Sequence, residues 1–229
     1  MRQAPTFTIH GRRGRNRLAL RAVIFDYGMV LTGPPDPQAH AALVRITGLF
    51  AARLDALYWM YRNAYDTGEL SGQAFWRKIA IEAGLNLSEP AIDDLTCWDA
   101  RMWMTENPAM LAWQLALKQR GLLTAILSNM GDTVHLAMQR ELDWLSRFDV
   151  LVWSYQLGIA KPDPKIYRYA LEKLGTQLEE TLFIDDRQVN VEAAIALGMK
   201  GVVFTDVKKL RADLIAQVLD KEIPLPADA

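Results

Sequence analysis

Cysteine is almost missing from this chain. Its 229 residues hold one, Cys97, which excludes an internal disulfide and suits a reducing cytoplasm. Cys97 lies in an apolar, tryptophan-rich segment with no histidine nearby, which predicts a buried packing thiol. An excess of charge of one sign is missing too. The 26 Lys and Arg against 27 Asp and Glu leave a formal net charge of -1, so nothing global points to nucleic acid or a membrane surface. No apolar run approaches membrane-spanning length, and the N-terminus lacks the continuous apolar stretch of a signal peptide. His10, His40 and His135 are scattered without metal-ligand spacing, and there is no internal repeat or low-complexity tract. The one local charge bias is Arg12, Arg13, Arg15 and Arg17, which reads as a solvated basic arm over residues 1–17.

What is present is apolar material in short runs. Hydrophobic residues make up 51% of the chain, enough for one core or for a core plus a small insert. Ala22 to Phe25, Leu122 to Leu127, Val150 to Trp153, Leu182 to Ile184 and Val202 to Phe204 are too short for helices. Their near-continuous apolar character predicts strands buried on both faces. Helical patterns lie between most of them. Asp132 is expected to N-cap the helix after the second run. Asp163-Pro164 reads as N-cap and first helical position, and Gly198 as the stop of a helix from Asn190 to Leu197. Strands alternating with helices predict an α/β, Rossmann-like parallel sheet with helices on both faces.

One stretch breaks the alternation. Between turn signals at Gly33-Pro34-Pro35 and Asn107-Pro108 only helical patterning is found: Ala39 to Ala52, Leu54 to Tyr65, Phe75 to Ala83 and Ile92 to Met104. The expected division is therefore a core over 18–33 and 107–222 with an inserted helical cap over 34–106. Trp59, Trp76, Trp98 and Trp103 fall in the insert, where helix packing is the stronger reading over a platform for a sugar ring. Arg62, four residues before Asp66, reads as half of a surface ion pair, with a substrate contact as the alternative.

The first apolar run ends in Asp26, the second in Ser128-Asn129 and the fourth in Asp185-Asp186, while Lys161 stands in a Lys-Pro-Asp-Pro segment before a helix. In a parallel sheet those ends share one edge, where open α/β sheets bind ligands. Singly each is weak: an Asp after a strand is usually a turn former, and a Ser-Asn pair is ordinary loop chemistry. Adjacent aspartates leaving an apolar run repel unless a cation or donor compensates.

In order and context these segments resemble the haloacid dehalogenase superfamily. Its first motif is similar to Val23-Ile24-Phe25-Asp26-Tyr27-Gly28-Met29-Val30-Leu31, and its second to Leu127-Ser128-Asn129. Its third resembles Lys161-Pro162, and its fourth Phe183-Ile184-Asp185-Asp186 with Asn190 and Gly198 following. The resemblance implies a magnesium-dependent phosphatase in which Asp26 attacks phosphorus and forms an aspartyl-phosphate. It implies Mg2+ held by Asp26, Asp186 and the backbone carbonyl of Gly28, with Asp185 a direct or water-mediated partner. Ser128 and the Asn129 amide would bind phosphoryl oxygens, and Lys161 would neutralise charge on both the nucleophile and the transferring group.

The first motif departs from the pattern at Gly28. Most phosphatases of the superfamily carry there a second Asp that protonates the leaving oxygen and activates water, an effect typically worth about a hundred- to ten-thousand-fold. Asp26-Tyr27-Gly28-Met29-Val30 resembles instead an Asp-x-Gly-x-Val subgroup to which bacterial α-glucose-1-phosphate phosphatases belong. The segment Tyr65-Asp66-Thr67-Gly68-Glu69-Leu70-Ser71 looks like one common in the caps of that subgroup. The expected substrate is a small phosphorylated metabolite with a good leaving group, a sugar 1-phosphate among the candidates. The expected assembly is a monomer or a homodimer. Two alternatives stay open: a metal-independent 2-haloacid dehalogenase, against which Asp185-Asp186 speaks, and a non-catalytic scaffold that kept the fold.

Overall fold

The structure, a computed structural model, describes residues 19–227. The basic stretch expected over residues 1–17 lies outside them. The chain enters through β1 (Ala22–Phe25) and turns sharply at Tyr27–Leu31 before a run of four helices. These are α1 (Pro37–Thr47), α2 (Ala51–Asp66), α3 (Gly72–Ala83) and α4 (Glu89–Met102). Then follow α5 (Pro108–Gln119), β2 (Leu123–Ser128), α6 (Asp132–Glu141), β3 (Val150–Trp153) and the short α7 (Ser154–Leu157). The last elements are α8 (Pro164–Leu174), β4 (Thr181–Asp185), α9 (Gln188–Leu197), β5 (Lys200–Val203) and α10 (Val207–Ala216).

All five strands run parallel in the order β3-β2-β1-β4-β5, which puts β1 at the centre. Alternation along β1 explains both layers. Val23 and Phe25 face a core built with Met110, Trp113 and Leu117 of α5, Val134 and Met138 of α6, and Leu210 and Leu214 of α10. Ala22 and Ile24 face the opposite layer, with Ile166, Ala170 and Leu171 of α8 and Val191 and Ala194 of α9. A strand covered on both sides must be apolar throughout, and all four residues of β1 are fully buried. Asp163 caps α8 by accepting the Lys165 amide at 2.8 Å with Pro164 in the first turn, and Gly198 ends α9 at a φ of 110°.

The four helices between β1 and β2 have a core of their own, including Leu43, Leu54, Leu57, Phe75, Trp76, Ile79 and Leu95. Their starts are written in the sequence. Asp36 accepts the Gln38 amide, Ser71 that of Ala74, and Ser88 that of Ala91. Three expectations need correction here. The helix read from Ala39 to Ala52 ends at Thr47, because Gly48 takes the left-handed conformation at φ 66° and stops it. Asp132 is the first residue of α6 and not its cap. Its carboxylate accepts the Gly72 amide at 2.9 Å and so ties α3 to the sheet layer. Cys97 is exposed, because α4 turns Ile92, Leu95, Thr96 and Asp99 inward and Cys97 away.

This helical layer meets the sheet edge closely. A Cβ on Gly131 would lie 2.0 Å from the Tyr65 ring, and one on Gly68 2.5 Å from the Tyr155 carbonyl oxygen. No helix among the described residues is long and apolar enough to cross a membrane.

Candidate active site

Strand register assembles the site. Phe25 pairs with Ile126 on one side and Ile184 on the other, so Asp26, Ser128 and Asp185 leave three neighbouring strands at one edge. Asp26 is 8% exposed, and its Oδ1 accepts the Tyr27 amide at 2.7 Å, which starts the turn over Tyr27–Leu31. In that turn Met29 takes a left-handed φ of 62°, a sparsely populated conformation for a side-chain-bearing residue. Gly28 does not: its φ is -62°, and a Cβ there would meet only the Trp103 ring at 3.9 Å. The missing second Asp is thus not forced by the backbone. Trp103 occupies the adjoining space.

Lys161 reaches the same point from the loop before α8. Its Nζ stands 2.9 Å from Asp26 Oδ1 and 2.7 Å from Asp185 Oδ2. Burial works against the ammonium, but Asp185 and Asp26 outweigh it and hold the Lys161 pKa above its usual value. Burial pushes the Asp26 carboxyl up, opposed by Lys161 and reinforced by Asp185 and Asp186. Asp186, half-buried, is likewise raised, by burial first and then by Asp185. Ligand atoms of Asp26, Asp185 and Asp186 lie within 4.8 Å of one another. Three carboxylates against one ammonium form an electron-rich oxygen cluster that favours a hard divalent cation.

Asn129 and Asn190, both in the motifs, have side chains that position their neighbours, and Arg187 and Ser154, which the sequence reading missed, join them. The Asn129 side chain clasps the Lys161 backbone, donating to its carbonyl at 2.9 Å and accepting its amide at 2.7 Å. Asn190 Nδ2 lies 3.0 Å from both Asp185 oxygens, and the Arg187 amide donates to Asp185 Oδ1 at 2.8 Å. Buried Ser154 accepts the Met130 amide at 2.9 Å and donates to the Asp66 carbonyl at 2.5 Å.

Above the edge lies a cavity of about 350 Å³, a size that suits one small ligand. Asp26, Gly28, Ser128, Asn129, Lys161 and Asp186 line its floor, while Asp185 sits behind them with no exposure. Trp59, Trp103, Met29, Met130 and Val134 form apolar walls, and Arg62 and Asp66 of α2 complete the lining. The Arg62–Asp66 pair is not on the surface as expected. Both side chains are 12% exposed, joined at 2.7 Å, with the guanidinium 5.3 to 5.9 Å from the ring centres of Tyr58, Trp59, Tyr65 and Trp103. The tryptophans divide. Trp76 is core packing, whereas Trp59, 60% exposed, and Trp103 line the cavity.

Comparison with known proteins fixes the class. A family model of haloacid dehalogenase-like hydrolases matches residues 20–198. The chain belongs to this family: it is a HAD-like hydrolase, and its five-stranded parallel sheet with helices is consistent with the Rossmann-like α/β fold of that family. It is 30% identical over 208 residues to mouse acyl-CoA dehydrogenase family member 10, covering 84% of this chain and 19% of that protein. It is 27% identical over 188 residues to the sesquiterpene phosphatase astK of Aspergillus oryzae, covering 81% of this chain and 90% of that one. Among solved structures, a HAD family enzyme from Bacteroides thetaiotaomicron in complex with magnesium and inorganic phosphate superposes with a TM-score of 0.67 at 20% identity. That match covers 83% of this chain and 98% of the other.

Proposed function

We propose that this protein is a magnesium-dependent phosphatase acting on a small phosphorylated molecule through an aspartyl-phosphate on Asp26. One observation carries the reading: Asp26, Asp185 and Asp186 converge at the floor of the cavity, and Lys161 is the one cation joined to them by an ion pair among the described residues. Such a floor repels any anionic substrate unless a further positive charge is present. The oxygen donors fit magnesium, with Asp26, Asp186 and the Gly28 carbonyl as ligands. Asp185 acts through water, because its two oxygens already accept Lys161, Asn190 and the Arg187 amide. The ion, when bound, offsets the repulsion between carboxylate and phosphate.

The residues divide the remaining work. Ser128 Oγ, which has no partner among the described residues, and the Asn129 amide bind phosphoryl oxygens. Lys161, clasped by Asn129 and Asp185, holds Asp26 in line and neutralises the group in transfer. Asp26 attacks phosphorus, the bond to the leaving oxygen breaks, and water then displaces Asp26 to release phosphate. The same charge balance disfavours haloacid dehalogenation, since a haloacid would bring a further carboxylate to this floor. Lys161 and Asp186 at one edge would also be poor choices for a scaffold. Apolar walls favour a leaving group with an apolar face, which a sugar ring or a terpenoid alcohol both present. The reading includes a cytoplasmic setting, supported by the lone thiol, and a monomer or homodimer without nucleic acid or membrane.

The test is phosphate release from a panel of sugar, acyl and terpenyl phosphates, with magnesium and with EDTA. Turnover that needs magnesium and vanishes in Asp26→Asn is expected. Halide release from 2-chloropropionate in EDTA, with no phosphate released from any member, overturns the reading.

A further inference from the structure

A monoester of an unactivated alcohol needs a proton at its leaving oxygen, and Gly28 cannot give one. A carboxyl group elsewhere on the cavity wall is required, and among the residues lining it Asp66 is the one carboxylate besides Asp26 and Asp186. Its position is fixed. The Asp66 carbonyl accepts Ser154 Oγ at 2.5 Å, and Ser154 accepts the amide of Met130, two residues past Ser128. Tyr65 packs on Gly131, and Gly68, at φ 76°, on the Tyr155 carbonyl. Asp66 is therefore pinned to the segment that leaves the end of β2, which carries Ser128 and Asn129. Arg62 Nε holds one oxygen at 2.7 Å, and the second has no partner among the described residues.

We propose that Asp66 is the general acid and base of this enzyme, taking the role that Gly28 cannot fill. The proposal rests on the phosphatase reading above. As Asp26 bonds to phosphorus and the bond to the leaving oxygen breaks, the free Asp66 oxygen gives its proton to that oxygen and the alcohol departs. The Asp66 carboxylate, now paired with Arg62, takes a proton from water as its oxygen attacks phosphorus. The bond from phosphorus to Asp26 breaks, phosphate leaves, and Asp66 is protonated again.

The surroundings keep a proton available. Asp66 is the last residue of α2, where the partial negative charge of the helix end disfavours a carboxylate. Asp99 is fully buried behind it, accepts Tyr58 Oη at 2.8 Å, and has a second oxygen with no partner among the described residues. Two carboxylates around one guanidinium in a dry layer favour retention of one proton between them. Burial raises the Asp66 carboxyl, opposed by Arg62 and, more weakly, by Lys161 and Arg187 across the cavity.

The experiment compares kcat/KM on alkyl phosphates and on p-nitrophenyl phosphate, whose leaving group needs no proton, for wild type and Asp66→Asn with magnesium. The expected loss is about a hundred- to ten-thousand-fold on alkyl esters and within several-fold on the aryl ester. Unchanged inhibition by vanadate shows that the cavity is intact. An equal loss on both substrates overturns the proposal and leaves the phosphatase reading standing, whereas a wild type silent on both overturns the two together. If Asp66→Asn does not fold, the wild-type pH profile decides. The kcat/KM for the alkyl ester should fall above an ionisation that kcat/KM for the aryl ester lacks, with Arg62, Asp99, Lys161 and Arg187 as the groups facing Asp66. Parallel profiles overturn the proposal.

Discussion

Asp185 holds Lys161 at 2.7 Å, and neither side chain has more than 1% of its surface exposed. A buried ammonium is costly unless its partners are fixed, and here the partner is itself fixed by Asn190 and the Arg187 amide. The lysine therefore meets Asp26 from a braced position, and the second aspartate of the Asp185-Asp186 pair is left to face the cavity.

This arrangement separates the two aspartates by experiment. Asp185→Asn keeps the size of the side chain but loosens the hold on Lys161. We expect kcat/KM for phosphate release to fall about 10- to 100-fold, as for other groups that orient a site from behind. The magnesium concentration for half-activation should move far less than in Asp186→Asn. Steady-state titration with magnesium checks this, and equal shifts in the two variants would make Asp185 a direct ligand.

The floor of the site was legible because it depends on strand ends. Asp26, Ser128 and Asp185 follow buried runs whose apolar continuity shows in the sequence, and parallel pairing brings those ends together. Lys161 was legible through its motif. The roof was not. Arg62 and Asp66 at a four-residue spacing look the same whether they face solvent or a cavity, since periodicity gives a helix face and not its neighbour. Gly131, in a loop, and Ser154, at the start of α7, fix that roof on the sheet and look ordinary until tertiary contact gives them a partner. Gly48 shows the reverse: the sequence carries a helix stop there, but the apolar pattern that runs through it masks the break between α1 and α2.

Contact between the helical layer and the sheet can be tested at Gly131. Its backbone, at φ -81° and ψ 169°, suits any residue, so only space demands glycine there. A methyl group would fall 2.0 Å from the Tyr65 ring. Gly131→Ala should destabilise by about 1–3 kcal/mol, the usual range for overpacking, and reduce turnover because Asp66 adjoins Tyr65. Guanidinium unfolding measures the first and phosphate release the second. Gly131→Ala combined with Tyr65→Ala should be less unstable than the sum of the two single variants. Strict additivity would mean that the ring does not fill that space.

Asp99 gives the protein a pH dependence whose sign is fixed by burial. Withdrawal from water pushes its carboxyl up to about 6, against the opposing pull of Arg62 and the Tyr58 hydrogen bond. In the unfolded chain it titrates near 3.8. Between those values the native state binds the proton more tightly than the unfolded state. Stability from this group is therefore complete below about 4 and is lost as pH rises through 6. Asp99→Asn removes the ionisation while leaving an acceptor for Tyr58. Unfolding free energies in EDTA at pH 4 and pH 7.5 should show the wild type losing about 2 kcal/mol relative to the variant across that interval. Other carboxyls, Asp66 among them, titrate in both proteins, so the difference between the two curves isolates Asp99. Parallel curves would mean that Asp99 is ionised throughout, with Arg62 serving it and Asp66 together.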